Sequence, residues 1–113
     1  MFFKKKMELV YAEKVKYEHA LDVYRTQIQH FRDFDFEPPV DVDAELERGK
    51  NLIRQFESIR IDKSKNIFER AERKSMLLGF GHIFATLSDD LKEEVFKLSE
   101  NWNEQFHKSY EKN

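Results

Sequence analysis

The chain reads as an all-α protein: an elongated antiparallel helical bundle of three long helices, the first of them coiled-coil-like. Three observations carry that expectation. Only 3 Gly and 2 Pro occur in 113 residues, too few turn formers for a sandwich or barrel. Apolar residues recur at helical spacing. Charged residues make up 37% of the chain, yet 11 Phe, 4 Tyr and 1 Trp supply large side chains for a core, each able to remove roughly 150–250 Å² from water. A chain of this size makes one domain, since two separate cores would each be too small.

The first element is the clearest. Phe3, Met7, Val10, Lys14, Tyr17, Leu21, Tyr24, Ile28 and Phe31 follow one another at steps of four and three without a break, a heptad seam with one polar member, Lys14. The helix is expected over about residues 4–33, roughly 45 Å at 1.5 Å per residue. Pro38 and Pro39 cannot continue it, so residues 34–42 read as an acidic, extended connection. Phe34 and Phe36 there can tuck onto the bundle, and Asp41 or Asp43 can cap the next helix.

The second helix is expected over about residues 43–78. Leu46, Gly49, Ile53 and Phe56 continue a three–four pattern, which meets Arg60 and Lys63 before resuming at Ile67, Phe68, Ala71, Ser75 and Leu78. Asp62–Asn66 contains no apolar residue. The favoured reading is one helix whose stripe shifts phase; a break near 62–66, with Ser64 capping a new start, would make four helices in all. Gly79 and Gly81 weaken the end of this segment. Ser88 followed by Asp89 and Asp90 has the form of an N-cap, opening a third helix over about 89–110 with Leu91, Val95, Leu98 and Trp102 on its seam.

Composition excludes several function classes. The chain has no Cys, which removes disulfides, thiolate metal sites and cysteine nucleophiles. No apolar run approaches a membrane span, and the charges of Met1–Glu8 follow the aromatics with no apolar stretch behind them, unlike a signal peptide. A cytoplasmic protein without membrane association is expected. Glu104 and His107 form one E-x-x-H, but a carboxylate-bridged metal pair needs a second such motif, and no other His has Glu three places earlier. His19 and His30 are about 16 Å apart along a helix, too far for one ion. Gly79-Phe80-Gly81-His82 lacks the preceding strand of a phosphate loop. No catalytic residues, cofactor or metal site are therefore expected.

Net charge is −2, but it is unevenly spread. Residues 33–47 carry seven acids and no base, residues 48–74 nine bases and four acids, and residues 89–113 seven acids and four bases. Such alternation pairs segments of one fold or steers two copies together. The expected function is a non-catalytic protein–protein interaction module of adaptor, chaperone or inhibitor type, acting as a homodimer. Its interface residues would be Tyr17, Leu21, Tyr24, Ile28 and Phe31, with Phe96 and Trp102 as anchors. The alternative is a nucleic-acid-binding regulator using the basic strip 48–74, with Arg60, Lys63, Lys65, Arg70, Arg73 and Lys74 on phosphates.

Overall fold

The computed structural model describes residues 2–111, with side chains from residue 3 to residue 106. Three helices account for almost all of it: α1 (Phe2–Asp33), α2 (Val42–Ser58) and α3 (Ile67–Glu111). There is no strand among the described residues. The molecule is a rod, 71 × 23 × 16 Å with a radius of gyration of 19.1 Å, where a compact chain of this length has about 13 Å.

The heptad seam of α1 is the spine of the core: Met7, Val10, Tyr17, Leu21, Tyr24, Ile28 and Phe31 are all buried. Lys14, its polar member, keeps its ammonium at the seam's edge and pairs with Glu18 at 3.5 Å and Glu57 of α2 at 3.1 Å. These carboxylates hold the Lys14 pKa above its ordinary value, the Glu57 hydrogen bond most of all and against the cost of desolvation.

Helix α1 ends in a Schellman motif. Phe36 N–H donates to the Phe31 carbonyl at 2.9 Å and Asp35 N–H to that of Arg32 at 3.0 Å. Asp35 sits at φ 61°, the left-handed residue such a cap requires. The apolar contact that accompanies the motif is Phe31 on Phe36, ring centroids 5.5 Å apart and edge to face. Pro38 and Pro39 follow, and Asp41 caps α2 by accepting the Ala44 N–H at 3.0 Å. Asp43 and Glu45 lie in the first turn of α2, where carboxylates meet the positive helix end.

The favoured continuous helix over 43–78 is corrected: the chain leaves the helix across residues 59–66, where the alternative placed a break near 62–66. Helix α2 stops at Ser58, and residues 59–66 form a turn. Asp62 accepts both the N–H and the hydroxyl of Ser64, at 2.9 and 2.7 Å, which also lowers the Asp62 carboxyl below its usual range. Ser64 is thus spent inside the turn, and the cap of α3 is Asn66, whose side chain accepts the Glu69 N–H at 2.9 Å. The turn forms because Ile59 and Ile61 pack inward against the core, while Arg60 and Lys63 stay exposed.

The expected start of a helix at Ser88 is also corrected. Helix α3 runs unbroken through Gly79, Gly81 and Ser88 to Glu111. Ser88 is buried and donates to the Phe84 carbonyl of its own helix at 2.7 Å. The seam of α3 is Leu77, Gly81, Phe84, Ser88, Leu91, Val95, Leu98 and Trp102, again at steps of four and three. A small hydroxyl and a glycine are simply seam members.

Successive helices run antiparallel, so α1 and α3 run parallel, and this parallel pair is the main packing of the molecule. Phe3 meets Lys74, Val10 meets Gly81, Tyr17 meets Phe84, Tyr24 meets Glu94 and Phe31 meets Trp102. Helix α2 runs back between them in one of the two grooves of the pair. Phe56 closes that groove with rings 5.7 Å from Tyr11, 5.4 Å from Phe80 and 5.4 Å from Phe84. Gly49 lets α2 approach: a Cβ there would lie 2.7 Å from a Leu21 methyl and 2.9 Å from the Tyr17 hydroxyl.

Candidate interaction sites

The five expected interface residues of α1, Tyr17, Leu21, Tyr24, Ile28 and Phe31, are buried by the chain's own α2 and α3. The seam finds its companion inside the molecule, because α3 carries a second full-length seam that the sequence reading split at Ser88. Trp102 is half-buried, 6.3 Å from the Phe31 ring and 6.2 Å from that of Phe34. Phe96 stands off the α3 seam and is 62% exposed. Of the expected anchors, Phe96 alone is open to a partner.

Sequence reasoning passed over other exposed apolar residues. On the groove not filled by α2, Leu9 is 69% exposed and lines a shallow depression with Lys6, Glu13 and Leu78. Val23 of α1 and Phe96 of α3 extend this α2-free side toward the far end, and both are exposed. Leu9 and Val23 are legible in the sequence as apolar residues off the α1 seam, two heptads apart.

The up-down-up path gathers like charges. Residues 2–17 and 53–88 lie at one end and hold twelve bases and six acids. Residues 18–52 and 89–111 lie at the other and hold seven bases and sixteen acids. The rod is therefore a long electrostatic dipole, net +6 at one end and −9 at the other over the described residues.

At the basic end, four of the six bases expected to touch nucleic acid share one concavity of about 500 Å³: Arg60, Lys65, Arg70 and Arg73, with Asp62, Glu69 and Glu72. Of the other two, Lys63 is exposed on the turn and is not part of the lining. Lys74 lies over the Phe3 ring, 5.1 Å from its centroid.

At the acidic end, Tyr24, Glu45, Arg48 and Glu94 line a cleft between the three helices. The Tyr24 hydroxyl donates to Glu94 Oε1 at 3.4 Å. Burial, followed by the nearby Glu94 and Glu45 carboxylates, pushes the Tyr24 pKa up to about 12. Burial first, and then Glu45, raises the Glu94 carboxyl, against the Tyr24 hydrogen bond and Arg48. No group of three or more metal-ligating side chains occurs among the described residues; the His107 side chain of the E-x-x-H lies outside them. No helix among the described residues is long and apolar enough to cross a membrane. Compared with protein-family models, curated proteins and solved structures, the chain matches none.

Proposed function

We propose that the chain is a non-catalytic protein–protein interaction module whose partner is a second copy of itself, laid antiparallel along the α2-free side. The observation that carries this reading is the charge polarity of the rod. A second rod in the opposite direction sets each basic end beside an acidic end, twice over, in a closed two-fold arrangement. The exposed Leu9, Val23 and Phe96 of that side supply apolar contacts, while complementary ends speed and orient encounter. The core seam of α1 takes no part, being already covered.

Mass measured by sedimentation equilibrium tests it. A dimer is expected at low ionic strength, weakening as salt screens the ends beyond a Debye length of about 10 Å. Phe96→Asp shifts the mass to monomer with helicity unchanged, since Phe96 is outside the core. A wild-type chain that stays monomeric at low salt and high concentration overturns the reading.

A second reading, a nucleic-acid-binding regulator, draws support from the convergence of Arg60, Lys65, Arg70 and Arg73 on one concavity. Six interleaved acids at the same end of the rod oppose binding along an extended strand.

A further inference from the structure

The concavity at the basic end has properties that a mere solvated surface lacks. All seven lining residues are charged, so it offers nothing to an apolar ligand. Among the described residues Arg60 donates only to the backbone carbonyls of Glu57 and Ile59. Among the described residues Lys65, Arg70 and Arg73 make no ion pair within 4.0 Å, although three carboxylates line the same space; Glu69 and Arg73, one helical turn apart, are not paired with each other. The Arg70 Nε–H is buried with no acceptor among the described residues, a state that proteins avoid unless something else satisfies the group.

We propose that this concavity binds a phosphorylated sugar, its phosphate held by Arg60, Lys65, Arg70 and Arg73. Guanidinium groups match phosphate oxygens in paired hydrogen bonds, and the ammonium of Lys65 adds a point charge. The carboxylates decide what the phosphate is attached to. The Oδ1 atom of Asp62 is engaged by Ser64, leaving its Oδ2 together with Glu69 and Glu72 to accept hydrogen bonds. With those acids present the lining is only one charge positive, so a bare phosphate is held weakly. A phosphate ester whose sugar hydroxyls donate to Glu69 and Glu72 uses both signs of charge. The volume, about 500 Å³, exceeds that of one phosphate and falls in the range of small-ligand sites. A free nucleotide and the end of a nucleic-acid strand present the same chemistry.

The test is calorimetric titration of the full chain, in low-salt buffer, with inorganic phosphate, with AMP, and with a short single-stranded oligonucleotide bearing a 5′ phosphate. Saturable binding of AMP, tighter than that of inorganic phosphate, is expected. Arg70→Gln and Arg73→Gln each weaken it by about tenfold or more with circular dichroism unchanged. Lys97→Gln, at the other end of the rod, leaves it unaffected. Binding of the oligonucleotide with the same sensitivity to Arg70→Gln, and none of AMP, assigns the site to a strand terminus. Absence of saturation by all three ligands, or wild-type affinity in both arginine variants, overturns the proposal. Dimerisation is read separately, from solution mass, so either idea can fail alone.

Discussion

At the residue scale, two glycines on different helices make opposite demands. Gly49 faces Leu21 and Tyr17, and both are buried and have little room to yield. Gly49→Ala gains about 1 kcal/mol of helix propensity but incurs an overpacking cost of about 1–3 kcal/mol. A net loss of stability is expected. Gly79 has nothing within 4 Å of its missing Cβ, so Gly79→Ala should stabilise by about 1 kcal/mol. Urea midpoints of the two variants, moving in opposite directions, check the packing of α2 on α1. Glu94 supplies a pH signature. Its carboxyl is raised in the fold, chiefly by burial and then by Glu45, so the folded state binds that proton more tightly than the unfolded chain. Stability from this group therefore grows as pH falls from the raised folded value toward about 4, the ordinary unfolded value. At neutral pH the ionised carboxylate is a burden. Glu94→Gln, which still accepts from Tyr24, should raise the thermal midpoint near neutrality, and the gap to wild type should close by about pH 4. An equal gap at both pH values would contradict the assignment.

At the element scale, the continuity of α3 is the point most exposed to test. Thr86 lies on its solvent side, midway between Gly81 and Leu91. Thr86→Pro removes a helical hydrogen bond and should destabilise by about 3 kcal/mol or more. A helix beginning at Ser88 would tolerate the same change in the preceding linker. Part of this element was legible in advance: the apolar residues from Leu91 to Trp102 carried its seam. Gly79, Gly81 and Ser88-Asp89-Asp90 read as punctuation because each has that meaning in isolation. Burial against α1 overrides those local preferences, as tertiary packing commonly does. The start of α3 had its own signal. Asn66-x-x-Glu69 before an apolar run has the form of a capping box, and Asn66 does cap the helix. Ser64, two residues earlier, is an equally good cap by type, and only the Asp62 turn engages it.

At the scale of the whole molecule, shape and polarity are the measurable consequences. Small-angle scattering of the monomer should give a radius of gyration near the 19.1 Å of the backbone, well above the value of about 13 Å for a compact chain. The proposed dimer makes a further prediction for the same measurement. Side-by-side antiparallel rods keep the longest dimension close to 71 Å, whereas end-to-end association nearly doubles it. A doubled length would show that the oppositely charged ends meet head to tail instead.

Spacing along the chain was enough to establish helices, a first seam of full length and an extended shape, because heptad periodicity and the lack of turn formers are local properties. The expected interface failed as a free surface for the same reason. A seam announces that it will be covered but not by what, and its cover lies about 70 residues away. Which helices run parallel, which groove α2 fills and which apolar residues stay outside are settled by the return path through residues 34–41 and 59–66. That path also turns alternating charged segments into a rod with a basic and an acidic end, and draws Arg60, Lys65, Arg70 and Arg73 into one concavity. Charge in a sequence is a list, and it acquires direction only when the chain is folded back on itself.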